Sequence, residues 1–117
     1  MFKINGFSGI AEFFEHASFP DKQNVFKTTI QVGAIRYRNC AFLYINNDGL
    51  FVKIKMVFKT HPTIFIPWNA FKEKKPATLY GLRAIEFVFT DSNLPALRLY
   101  ESDINKYENL FSGIKNQ

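Results

Sequence analysis

The chain has 117 residues, a formal charge of +5, a single cysteine and 14 phenylalanines, enough length and apolar content to bury a core without disulfides or metals. No stretch reaches the roughly 18 apolar residues of a membrane span, and Glu12 and Glu15 interrupt the opening MFKINGFSGIAEFF where a signal peptide would be apolar, so a cytoplasmic protein with no transmembrane segment is expected. Scattered acids, two distant histidines and the absence of GxSxG, HExxH, CxxC, a Gly-rich phosphate loop or a paired-carboxylate spacing argue against an enzyme, with no catalytic residue, metal or cofactor expected.

The pattern predicts one domain over 1–117, with a helical region at 1–20, a β-meander at 23–100 and a helix at 102–114. Ser8 is the expected cap of a first helix whose apolar positions Ile10, Ala11, Phe13, Phe14 and Ala17 recur at helical spacing, with Pro20 beyond its end. His16 is expected in its last turn or facing solvent. Asn24 to Val32 alternates as a strand, with Phe26, Thr28, Ile30 and Val32 on one face, and Gly33 ends it.

The meander continues with strands at 36–46, 49–58 and 63–67, the last break marked by His61-Pro62 because proline cannot donate to a sheet ladder. Asn46-Asn47-Asp48-Gly49 suits a turn with Gly49 in the left-handed conformation of a bulge. In that register Tyr44 faces Val52, Phe42 faces Ile54 and Cys40 faces Met56, so Cys40, Phe42, Tyr44, Val52, Ile54, Met56 and Phe58 form the core face. Leu43, Ile45 and Phe51 then share the opposite face with Lys53, Lys55 and Lys59. A tighter two-residue turn on Asn47-Asp48 is the alternative, and it would swap the face of the first strand.

Asn69 to Thr78 reads as a polar surface loop. Strands are expected again at 82–90 and 96–100, joined by a turn at Asp91-Ser92-Asn93. Ser102 or Asp103 then caps the terminal helix, which carries Ile104, Tyr107, Leu110, Phe111 and Ile114 on one face and stops near Gly113. Six or so antiparallel strands followed by one amphipathic helix predict an α+β fold, a bent sheet or barrel of six to seven strands plugged by the helix.

Four motifs run in order along most of the chain: Gly6-Phe7-Ser8-Gly9-Ile10-Ala11, Gly49-Leu50, His61-Pro62 and Ile66-Pro67-Trp68. With them the chain resembles a family of small uncharacterised bacterial proteins, and its strand order resembles pleckstrin-homology-like barrels. Phe7 stands where the family has tryptophan, and the region after Trp68 offers little to match. The family brings no activity with it. Lys27, Arg36 and Arg38 are similar to the K-xn-[KR]-x-R pattern by which some pleckstrin-homology domains hold inositol phosphates, since converging cations suit phosphates.

Charge is concentrated in the middle of the chain, with a net of +9 over residues 22–83 and −2 on either side. Lysines on strand exteriors are ordinarily solvating and oppose edge aggregation, although such asymmetry also suits anionic partners. Cys40 is expected to be a small buried hydrophobe, His61 a hydrogen-bonded turn residue and Trp68 a rim-packing side chain rather than a groove wall. The interaction face is therefore assigned to Leu43, Ile45, Phe51, Lys53, Lys55, Arg36, Arg38 and Trp68. Its expected partner is another protein, a second copy of the chain included. The alternatives are nucleic acid or lipid headgroups on the basic residues, and a toxin-neutralising immunity role. Ile10, Phe13 and Phe14 of the first helix are expected to cover Leu43, Ile45 and Phe51.

Overall fold

The computed structural model of the protein describes residues 6–58 and 60–116. Lys59 lies outside them. The chain order is α1 (Phe7–Phe13), β1 (Phe26–Val32), β2 (Ile35–Ile45), β3 (Gly49–Ile54), β4 (Ile64–Pro67), β5 (Phe71–Leu79), β6 (Leu82–Phe89), β7 (Leu97–Tyr100), α2 (Glu101–Ile104), α3 (Glu108–Phe111) and β8 (Lys115–Asn116). The eight strands form one sheet in the order β4-β3-β2-β1-β7-β6-β5-β8, antiparallel except where β8 runs parallel to β5. The sheet curls into a half-barrel, giving an α+β fold with more strands than the six or seven expected.

The inner face of the curl is largely aliphatic. Ile30 and Val32 of β1, Ala41, Leu43 and Ile45 of β2, Leu50, Val52 and Ile54 of β3, and Ile64 and Ile66 of β4 are all buried in one cluster with Phe87, Phe89, Leu97 and Leu99 from the other half of the sheet. Phe7, Ile10 and Ala11 of α1 and Ile104, Phe111 and Ile114 of the C-terminal region close over it. At about 25 cal/mol per Å² of apolar area removed from water, this shared interior is what holds the curl.

Here the structure corrects the register of the central hairpin. Ile45 pairs with Leu50, Tyr44 with Phe51, Leu43 with Val52 and Phe42 with Lys53. The Asn46 amide donates to the Gly49 carbonyl at 3.1 Å, so Asn47-Asp48 is a two-residue turn. Asn46 Oδ1 accepts from the amides of Asp48 at 2.9 Å and Gly49 at 3.2 Å, so the side chain holds the turn that was expected of a left-handed glycine. Gly49 is required for a different reason: a Cβ there would lie 2.2 Å from the Ile66 carbonyl oxygen across the β3–β4 pair. The alternative turn is thus the one adopted. It sends Leu43 and Ile45 inward and leaves Phe42 and Tyr44 outside the main core.

Four further elements differ from expectation. The helix α1 starts one residue before Ser8, with Gly6 as its cap at φ 82°, and Ser8 is exposed. A Cβ at Gly6 would meet Ile35 Cδ1 at 2.6 Å, and the Phe7 amide donates to the Tyr37 hydroxyl at 2.7 Å, so α1 is capped by a neighbouring strand instead of its own serine. The helix ends at Phe13, after which Ala17 donates to Thr63 and Phe65 to Glu15, laying residues 15–17, His16 among them, along the outer edge of β4.

The strand β3 stops at Ile54, which moves Met56 and Phe58 from the expected core into an exposed loop. The expected loop 69–78 is strand β5, paired with β6 from Phe71↔Phe89 to Leu79↔Leu82. Its polar run is satisfied by neighbours: Lys75 pairs with Glu86, and Lys74, a residue only 9 % exposed, donates from its ammonium to the Phe111 and Ile114 carbonyls at 3.3 and 2.8 Å. Finally, the terminal helix is broken by a 3₁₀ turn at Asn105–Tyr107, although its inward residues are the expected ones.

Candidate functional site

Cross-strand partners in an antiparallel sheet share a face, so the register of β1 to β4 fixes what the outside of the sheet displays. One lateral row is Phe65–Phe51–Tyr44 and the next is Lys53–Phe42–Lys27. The rings of Phe51 and Phe65 are 4.8 Å apart between centroids, and those of Tyr44 and Phe51 are 5.7 Å apart at 69°. Lys27 holds its ammonium 6.0 Å from the Phe42 centroid. Phe51, at 9 % exposure, is shielded by its two aromatic neighbours, while Phe42, Tyr44 and Phe65 are half-buried. The result is an aromatic surface with lysines interleaved.

The residues assigned to the interaction face from sequence are therefore dispersed. Leu43 and Ile45 are in the core, 0 % and 6 % exposed, and belong to no surface. Ile10 shares their cluster, as expected, whereas Phe13 is exposed and Phe14 packs on Phe89 at 5.5 Å. Phe51 and Lys53 are on the outer face, and Lys55 is exposed at its end. Arg36 and Arg38 lie further along β2, with guanidinium carbons 5.2 and 5.5 Å from the centroid of Tyr80, a ring presented by the tight β5–β6 turn. Lys27 sits over Phe42 instead, so the three cations of the phosphate-like pattern do not converge on one point.

Trp68 packs at the rim as expected. Its indole donates to the Asn46 carbonyl at 3.0 Å, and its ring lies 5.6 Å from that of Phe111. It also lines an open cleft of about 340 Å³ with Lys72, Leu110 and Gly113. His61 is buried against the Phe7 ring at 5.2 Å, and its amide donates to the Ile54 carbonyl at 2.9 Å, the turn role anticipated for it. Cys40 is half-buried, and burial pushes its thiol up while the Lys27 charge draws it back only in part, so it stays protonated.

The chain matches no protein-family model, no curated protein and no solved structure. Its chemistry must be read from the residues themselves.

The rest of the outer surface has a different character. A third lateral row crosses five strands as Lys75, Glu86, Arg98, Gln31 and Arg36. Arg98 Nε donates to Glu86 Oε1 at 2.8 Å, Lys75 Nζ lies 3.4 Å from Glu86 Oε2, and Gln31 Nε2 donates to the Gly33 carbonyl at 2.8 Å. Burial raises the Glu86 carboxyl, but the hydrogen bonds and charges of Arg98 and Lys75 outweigh it and hold the group below its ordinary range. These groups are occupied with one another. Among the described residues no three His, Cys, Asp or Glu side chains gather as a metal site would require, and no helix is long and apolar enough to cross a membrane.

Phe42, Tyr44 and Phe65 are the surface residues that sequence reading missed. The first two were assigned to the core by the wrong turn, and the two-residue alternative on Asn47-Asp48 was the signal that would have moved them out.

Proposed function

We propose that this chain is a non-enzymatic binding module of pleckstrin-homology-like architecture that contacts another protein through the outer face of β2, β3 and β4. The strand order β4-β3-β2-β1-β7-β6-β5, a meander whose first strand meets its seventh, supports the architectural reading together with the inward-packed C-terminal region. The functional reading rests on one observation: Phe42, Tyr44, Phe51 and Phe65 occupy adjacent positions outside the main core, on the strands β2, β3 and β4, which themselves contain no acid. Aromatic side chains at such positions give large contact area at low entropic cost, and interfaces are enriched in them.

Lys27 and Lys53 on the same face favour a second reading, an anionic ligand held by interleaved cations and rings as in single-strand nucleic-acid grooves. The two readings separate under salt, because counterion release weakens a phosphate-bound complex steeply and an apolar one little. A photoreactive residue in place of Tyr44, activated in an extract of the native cell adjusted to low or high salt, is expected to give a protein adduct that forms equally at both. Phe65→Ser should abolish that adduct and Lys27→Gln should leave it. Adducts to nucleic acid alone, lost on Lys27→Gln or at high salt, would overturn the protein reading.

A further inference from the structure

The loop between β3 and β4 presents Met56, Val57 and Phe58 in succession, at 42, 90 and 99 % exposure. Single exposed apolar residues are ordinary on a protein surface, but two nearly bare side chains beside a third at a loop tip are not. The base of this loop is fixed: Lys55 bridges to Thr60, the Lys55 amide donates to the Cys40 carbonyl at 3.0 Å, and the His61 amide donates to the Ile54 carbonyl at 2.9 Å. The tip is thus held out by its own hairpin.

The hairpin that carries it is cationic. Lys53 is half-exposed and Lys55 exposed on the strand below, and between Asn39 and Trp68 the sole acid is Asp48, in the turn at the opposite end of β3. A projecting apolar tip with cations behind it lacks the concavity that would bind a peptide. It suits a partner that accepts a wedge of any shape and is negatively charged at its surface. The boundary between headgroups and acyl chains of an anionic bilayer has both properties.

We infer that the β3–β4 loop inserts Val57 and Phe58 into the interfacial layer of an anionic phospholipid bilayer while Lys53 and Lys55 contact its headgroup phosphates. This contact shares Lys53 with the outer face but uses none of its rings.

Sedimentation of the full chain with phosphatidylglycerol–phosphatidylcholine vesicles, against phosphatidylcholine alone, provides the test. Binding is expected only to the anionic vesicles. The double variant Val57→Ser/Phe58→Ser should partition at least about tenfold more weakly, and Lys55→Gln roughly fivefold, with unfolding temperatures unchanged because the substituted side chains are in water. In a Phe58→Trp variant, the emission added to that of Trp68 should shift to the blue on anionic vesicles and be quenched by brominated lipid. Absence of binding, equal binding by the double variant, or an unquenched Phe58→Trp variant would overturn the inference. So would a free chain that is dimeric and becomes monomeric on the double substitution, since the tip would then be a contact between copies. Tyr44 and Phe65 are untouched in these variants, so failure here leaves the outer-face proposal standing.

Discussion

The two halves of the outer surface use the same backbone geometry for opposite ends. On β5, β6 and β7 the outward row is ionic and internally paired, with Glu86 held between Lys75 and Arg98. On β2, β3 and β4 the outward rows are aromatic, and their lysines face rings or solvent instead of carboxylates. The lesson is that a charged strand can be structurally complete and an apolar strand incomplete. Lys72-Glu73-Lys74-Lys75, the most polar run in the chain, lies in a well-paired strand, whereas the apolar hairpin leaves rings half-buried at the surface.

The sharpest way to break the aromatic half is at its turn. Gly49→Val should cost about 4 kcal/mol or more in chemical denaturation, because its Cβ would collide with the Ile66 carbonyl oxygen and no flexible side chain can yield there. The next test compares neighbours on β2. Leu43→Ala should lose about 3 kcal/mol, as a fully buried leucine does, and Tyr44→Ser less than about 1 kcal/mol. The reverse ranking would mean that the register with Tyr44 inward is the true one, and the outer-face proposal would lose its footing.

Smaller effects separate the halves further. Phe65→Ser should cost about 1 kcal/mol by removing the ring pair with Phe51, and should raise binding of a hydrophobic dye as Phe51 is uncovered. On the ionic half, Glu86→Gln should cost about 0.5 to 1 kcal/mol near neutrality, since both cationic partners are partly exposed and solvent screens the pair. Its folded carboxyl titrates below the unfolded value of about 4.3. The stabilisation is therefore complete above that pH and is lost as pH falls through the folded value. Denaturation midpoints of the native chain and the Glu86→Gln variant should converge in acid. A gap between them that persists unchanged through the acid range would show that the contribution of Glu86 is not ionic.

The sequence alone determined the spacing of the elements and most of their inward residues. The alternation of Phe26, Ile30 and Val32, the breaks at Gly33, His61-Pro62 and Asp91, and the apolar face of Ile104, Phe111 and Ile114 are local signals, and each survives in the fold. Only the tertiary structure decided which side of β2 faces the core. Both faces of that strand are apolar, Leu43 and Ile45 on one and Phe42 and Tyr44 on the other, so period-two patterning is satisfied by either register. The choice falls to neighbours distant in sequence: Ile64 and Ile66 on β4 and the short aliphatic and phenyl side chains of α1 leave an interior lined with branched residues, and Ala41, Leu43 and Ile45 complete it. The same holds for β5, whose lysines could become a strand only because Glu86 and the carbonyls of Phe111 and Ile114 wait on either side to receive them. Where satisfaction comes from a partner many residues away, no window of the sequence contains it.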